Sequence, residues 1–231
     1  MPRLITDFDG PIIDVSERYY RVYQYCLAAV SQPEQRVRQL TKQEFWSLKR
    51  SQVPEAQIAI RSGLSDDQSF HFSKLRRDTV HTMPYFQYDT PVPGAVEALE
   101  MLQQAGFDLV VMTMRRTREL NYALQRYDLE RFFPLDRRYC LANDYVKTID
   151  TKDKPLLMAR AMRELPTTYS TWMVGDTEAD IAAAQSQGLP AIGVLSGIRD
   201  RKRFEQYGPT YIASDLAAAV ELVLDRCLLA V

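Results

Sequence analysis

Apolar residues along this chain follow two rhythms. Short apolar runs at residues 4–6, 109–113, 139–142, 171–175, 191–195 and 211–213 have the length and composition of buried strands. Between them the apolar positions recur every three to four residues, which predicts helices over roughly 94–104, 117–126, 155–163, 178–187 and 215–229. Strands alternating with helices imply a parallel sheet, and right-handed crossovers then wind helices over both faces, giving a doubly wound α/β fold. In such sheets ligands sit outside the carboxyl ends of the strands. Asp7, Thr113 and the Gly175-Asp176 pair all fall at predicted strand ends.

The alternation breaks once. Between about 14 and 90 no strand pattern stands out and the apolar spacing is helical. Val22, Cys26, Ala29 and Val30 form one stripe, while Phe45, Leu48 and residues 52–60 point to further helices. Pro33, Pro54 and the Met83-Pro84 step punctuate them. The chain is therefore expected to form a core from residues 1–13 and 91–231, with an all-helical insert at 14–90 after the first strand. The stretch Asp89-Thr90-Pro91-Val92-Pro93-Gly94 is a stiff, turn-forming return to the core.

With 231 residues, 46% hydrophobic and 26% charged, the chain can bury a sizeable core. Its net charge is −1 and no basic run persists, which argues against a nucleic-acid polymer as partner. The insert carries 11 Lys or Arg against 9 Asp or Glu, so the remainder is at −3. Cys26, Cys140 and Cys227 are odd in number and far apart, which fits neither a disulfide framework nor a zinc site and points to reduced thiols in a cytoplasmic setting. No run approaches the ~18 apolar residues of a membrane span. The first ten residues already carry two acids, so no signal peptide is expected.

Four elements carry chemistry. Asp7 and Asp9 flank Phe8 at the end of the first apolar run, with Gly10 behind them. If the chain stays extended to the turn at Gly10, both carboxylates face one cavity. Two like charges about 4 Å apart repel by roughly 4 kcal/mol at an intermediate dielectric, and a divalent cation or one shared proton relieves this. An ordinary Asp-Gly turn would need no counterpart elsewhere. Yet Val174-Gly175-Asp176-Thr177-Glu178-Ala179-Asp180 supplies one: an apolar strand, a glycine permitting close approach, and two aspartates four residues apart. A helix opening at Thr177 would set Asp176 and Asp180 near one edge, although Asp176 or Thr177 also reads as a plain N-cap. Thr113 ends the run at 109–113, where its hydroxyl and the N–H groups behind it can donate to a phosphoryl oxygen. Lys152 and Lys154 flank Asp153 ahead of Pro155, which is read as lying in the first turn of a helix. A lysine there can offset phosphoryl charge. Arg115 and Arg116, and Arg18 or Arg21 in the insert, are further candidates to face a substrate, though arginines in such places ordinarily sit in water.

Taken together, Asp7-Phe8-Asp9-Gly10, Thr113, a lysine at 152 or 154, and Gly175-Asp176 with Asp180 resemble in order the four signatures of the haloacid dehalogenase-like hydrolase superfamily. The insert is placed like the helical cap of its phosphoglycolate phosphatase and β-phosphoglucomutase branch. The resemblance implies a Rossmann-like core, with Asp7 as nucleophile forming an aspartyl phosphate and Asp9 as general acid and base. It implies Mg²⁺ held by the Asp7 side chain, the Asp9 backbone carbonyl and Asp176, with Asp180 supporting or replacing a ligand. Thr113 and the lysine would bind phosphoryl oxygens, with Gly10, Met114 and Arg115 on the substrate side. Two departures stand out. Pro11 takes a place that is usually threonine, and the lysine is ambiguous: a Lys-x-x-Pro reading selects Lys152, whereas a lysine directly opening an apolar helix selects Lys154, which is preferred. The implied activity is a Mg²⁺-dependent phosphatase for a small phosphorylated metabolite such as phosphoglycolate, a sugar phosphate or a nucleotide. Competing readings are a phosphomutase and, outside enzymes, a receiver-like or catalytically silent phosphate-binding protein. A receiver carries its reactive aspartate on a middle strand, whereas here the acidic pair is on the first.

Overall fold

The computed structural model describes residues 1–228, the side chain of Leu228 excepted. Its strands are β1 (Arg3–Thr6), β2 (Ile13–Asp14), β3 (Thr90–Pro91), β4 (Asp108–Arg116), β5 (Arg138–Leu141), β6 (Thr171–Gly175), β7 (Ala191–Val194) and β8 (Tyr211–Ala213). Its α-helices are α1 (Ser16–Val30), α2 (Lys42–Arg50), α3 (Glu55–Arg61), α4 (Asp66–Thr79), α5 (Ala95–Gln104), α6 (Thr117–Arg126), α7 (Asp150–Glu164), α8 (Glu178–Gln185), α9 (Arg201–Glu205) and α10 (Leu216–Leu228). The predicted end of the last helix, Leu229, lies outside the described residues. Contacts divide the chain into two compact units: residues 1–14, 91–197 and 201 onward form the first, and 15–90 with 198–200 the second.

The first unit is built on a six-stranded sheet in the order β5-β4-β1-β6-β7-β8, every neighbour parallel. This is the doubly wound α/β sheet that the alternation predicts. After β1 the chain adds β4 and β5 on one side, then crosses back to lay β6, β7 and β8 on the other, so the strand order reverses beside β1. Both faces are covered, and Ile5, Val110, Met112 and Met173 are fully buried with Ile181 of α8 and Met158 of α7. Burying each such side chain is worth about 1.5–3 kcal/mol.

Two predicted boundaries are corrected. β4 does not stop at Thr113 but runs to Arg116 through a bulge: Met112 pairs with Tyr139 and Arg116 with Leu141, so residues 113–115 face a single partner residue. And α7 begins five residues before Pro155, at Asp150. Asp153 explains the early start, because its carboxylate accepts from the Thr148 N–H and hydroxyl, both at 2.8 Å, and from Tyr145. A short helix, α9, and the two-residue strands were too brief to leave a periodic signal.

The second unit is helical, with a core of Val22, Tyr23, Cys26, Leu27, Phe45 and Phe72. The stripe expected on α1 is rotated, since Ala29 is exposed while Tyr23 and Leu27 are buried. Tyr23 sets this face: its ring stacks 4.8 Å from Phe45, and its hydroxyl meets both Ser62 Oγ and the Leu40 N–H at 2.8 Å. Arg18 is fully buried, with Nε 3.0 Å from Asp89 and its guanidinium over Phe86, so it is no solvated arginine. Arg21 is half exposed on Glu17. Cys26 is buried, which pushes its thiol up to about 12. Among the described residues no helix is long and apolar enough to cross a membrane.

Candidate active site

Asp7 follows the last residue of β1, where the strand is held from both sides. Thr6 stands opposite Val111 and Val174, and the Asp7 N–H donates to Val174 O at 2.8 Å. The chain then turns sharply. Phe8 O accepts from Ile12 and Ile13, and Gly10 N–H donates to Ile13 O. This turn uses no N–H from residue 11, so Pro11 fits it. Gly10 has φ +93°, a region that favours glycine, and a Cβ there would overlap Asp176. A Cβ on Gly197 would overlap Asp176 as well. Ser196 Oγ closes the contact by donating to Gly10 O at 2.8 Å. Two backbone segments thus approach Asp176 as closely as only glycine permits.

From α7, Lys154 reaches the same spot. Its Nζ lies 2.8 Å from Asp7 Oδ2 and 2.5 Å from Asp180 Oδ1, and its side chain is 1% exposed. The other Asp180 oxygen accepts from the Thr177 N–H and hydroxyl, completing a capping box at the start of α8. Asp180 is therefore both a cap and part of the site, and Thr177 is the N-cap. Asp7, Asp176 and Asp180 each offer an oxygen within 4.8 Å of the others, and all three are buried. Burial, the largest effect, pushes the Asp7 carboxyl up to about 7; Asp180 and Asp9 add to the rise and Lys154 opposes it. Burial alone would lower the Lys154 ammonium, but Asp180 and Asp7 hold it above the usual lysine range.

Asp9 turns elsewhere. Its Oδ1 accepts from Arg115 Nε at 2.8 Å and lies 2.6 Å from Nη2, while that guanidinium packs 5.1 Å from the centre of the Phe8 ring. Arg115, expected to face solvent or substrate, is instead buried as the partner of Asp9. The β4 bulge makes this possible by swinging residues 113–115 out of register. Thr113 is buried, and its Oγ1 accepts the Arg115 N–H at 3.2 Å, which leaves its hydroxyl proton to donate. Met114 is half-buried beside it. Arg116 binds Tyr145 O rather than joining the group.

Lys152 is exposed and is not brought to these residues, whereas Lys154 is. Ser196 and Gly197 went unnoticed in the sequence, although a glycine two residues past an apolar strand was the signal that could have found them.

The match to known proteins follows the same residues. The family model for haloacid dehalogenase-like hydrolases covers residues 2–188, from β1 through α8. The chain belongs to the haloacid dehalogenase-like hydrolases. A phosphoglycolate phosphatase from Agrobacterium fabrum is 25% identical over 97% of this chain and 93% of its own length. Phosphoglycolate phosphatases from Vibrio parahaemolyticus and Pseudomonas syringae pv. tomato are 26% and 24% identical over 72% and 60% of this chain. The chain spans about half (49%) of the Pseudomonas relative and 70% of the Vibrio one. Of solved structures, a haloacid dehalogenase-like family hydrolase from Streptococcus pneumoniae has a TM-score of 0.68 at 17% identity, covering 96% of this chain and 98% of that one. A hydrolase from Pseudomonas syringae reaches 0.63 at 18%, covering 97% and 99%. At these identities the likeness is one of fold, and the haloacid dehalogenase-like sheet is what the structures share.

Proposed function

We propose that the chain is a Mg²⁺-dependent phosphatase of small phosphorylated metabolites, working through an aspartyl phosphate on Asp7. One observation carries the reading. Three buried carboxylates, Asp7, Asp176 and Asp180, stand against the single ammonium of Lys154, and with all three ionised these four groups keep two negative charges in excess, the charge of one divalent cation. The donor set, all oxygen and closely gathered, fits a hard ion. Asp7 and Asp176 with the Asp9 backbone carbonyl would hold it, while Asp180, engaged with Thr177 and Lys154, supports from behind. When bound, the ion polarises the phosphoryl group and offsets its negative charge.

In this reading an Asp7 oxygen attacks phosphorus and the ester P–O bond breaks. The leaving alkoxide takes the proton of the Asp9 carboxyl. Asp9 then accepts a proton from the water that attacks the aspartyl phosphate, and the P–O bond to Asp7 breaks, returning both carboxyl groups to their starting states. The Thr113 hydroxyl, the N–H of Met114 and the Lys154 ammonium hold the phosphoryl oxygens. The curated relatives support a phosphate monoester as substrate. The insert at 14–90 is read as the cap, and the widely spaced cysteines accord with a cytoplasmic setting.

The full chain is expected to release inorganic phosphate from an aryl phosphate only with Mg²⁺, to stop in excess EDTA, and to recover when Mg²⁺ is restored. Turnover unaffected by EDTA would end the metal reading. Transfer of the phosphoryl group to an added hexose phosphate in preference to water would mark a mutase instead.

Arg115 serves here by fixing the direction of the Asp9 carboxyl group through Oδ1, with the proton carried on the other oxygen. Arg115→Met should lower kcat by about 10²-fold, the scale of a displacement near 1 Å in a reacting group, with KM little changed. A change confined to KM would mean that Arg115 binds substrate rather than positioning Asp9.

A further inference from the structure

The second unit buries two cations against one carboxylate. Lys49 lies in the last turn of α2, Glu55 opens α3, and Arg76 lies in the last turn of α4. Glu55 Oε1 is shared, ion-paired to Lys49 Nζ and 3.0 Å from Arg76 Nη1. The Tyr19 ring packs beside both cations, its centre 4.7 Å from the Arg76 guanidinium carbon and 6.0 Å from Lys49 Nζ. Arg76 is 9% exposed at its side chain, and its Nε and Nη2 are buried with no hydrogen-bond partner among the described residues. Glu55 Oε2 is buried without a partner as well, and turning it toward Arg76 would leave the count of charges unchanged. Arg199, from the 198–200 segment of the same unit, adds positive potential at Lys49. Burial, then Arg76, push the Lys49 amine down to about 8.

An uncompensated buried charge is expensive, and a guanidinium edge without acceptors adds a hydrogen-bonding loss. The carboxyl ends of α2 and α4 each offer these cations only about half a negative charge. An oxyanion supplies both what the charge count and what the Nε/Nη2 edge lack, since two parallel N–H donors match a carboxylate or phosphate. We propose that Lys49 and Arg76 form an anion-binding site in the second unit, taking a carboxylate or phosphate oxyanion.

Sulfate is the probe, and Trp46 the reporter, because its ring meets Tyr19 edge-on at 5.9 Å between centres. In a Trp172→Phe background Trp46 is the remaining tryptophan. Sulfate replacing chloride at constant ionic strength should change its emission saturably. Lys49→Met and Arg76→Met each leave one cation on Glu55, so both should raise the Tm of the sulfate-free protein and weaken sulfate binding at least 10-fold. No saturable response, or the same response in both variants with a lower Tm, would overturn the site and show a structural cluster.

Turnover separates the two sources of the anion, an arm that rests on the phosphatase reading. If the oxyanion belongs to the substrate, each variant lowers by at least 10-fold the ratio of kcat/KM for a carboxylated alkyl phosphate to that for a neutral one. If it is a separate ligand, malonate shifts the turnover of the parent and not of the variants. In a protein that turns over, sulfate binding with neither effect marks an adventitious ion only and also overturns the proposal. The Trp46 titration needs no turnover, so a protein that hydrolyses nothing would sink the phosphatase reading and leave this one standing.

Discussion

Asp7→Asn is expected to fold and to turn over an aryl phosphate with Mg²⁺ at least about 10⁴-fold more slowly than the parent, the scale seen when a nucleophile is removed from a catalytic group acting as a unit. The amide keeps the shape of the carboxylate and loses its nucleophilic oxygen. The fold does not depend on that charge. Burial holds the Asp7 carboxyl up at about 7, so between the usual aspartate range and pH 7 the folded chain retains a proton that the unfolded chain has released. Stability conferred by this proton is complete at low pH and is lost as the pH rises through 7. In buffer without divalent ions, Asp7→Asn should therefore be more stable than the parent at pH 8, with the difference narrowing at pH 5 and closing only in the usual aspartate range. Urea denaturation at the two pH values reads this directly. Turnover within 10-fold of the parent would overturn Asp7 as nucleophile, and a variant less stable at pH 8 would overturn the account of its burial.

Lys154→Met should be the most damaging single change to the first unit. The ammonium lies between Asp7 and Asp180, and its removal leaves buried carboxylates without their cation, a loss of about 3–5 kcal/mol. At about 2–4 °C per kcal/mol for a chain of this size, the Tm should fall by roughly 6–20 °C. Mg²⁺ should restore part of it, because a ligand bound only by the folded state adds stability by mass action. Turnover should fall by about 10²–10³-fold, as when one preorganised donor to a transition-state oxyanion is lost. Lys152→Met, two residues away and exposed, is the control and should stay within about 0.5 kcal/mol of the parent. A reversed ranking of the two variants would show that the wrong lysine was assigned.

Much of the fold was legible because its signals are local. The strands at 171–175 and 211–213 and the helix at 117–126 have the predicted limits, since continuous apolar runs and a clear helical period end at turn-forming residues. The misreadings occur where a distant or polar partner overrides the local pattern. Tyr23 lay outside the stripe expected on α1, but Ser62 and Leu40 satisfy its hydroxyl, so its ring enters the core. β4 outran its predicted end because a bulge against β5 has no counterpart in the apolar period. Arg115 read as a candidate to face substrate, and nothing nearby in sequence marks Asp9 as its partner, 106 residues away.

What the amino-acid order determined by itself was the alternation of elements, the strand ends that carry Asp7 and Asp176, and the membership those signatures imply. Only the tertiary structure brought Lys154 rather than Lys152 to Asp7 and Asp180, paired Asp9 with Arg115, and set Gly10 and Gly197 against Asp176. The reason is geometric. Each helical residue turns about 100° from the last, so Lys152 and Lys154 point about 200° apart on α7, and either could face inward until the helix is packed. Packing α7 against α8 and the sheet turned Lys154 toward Asp7 and Asp180 and left Lys152 in solvent.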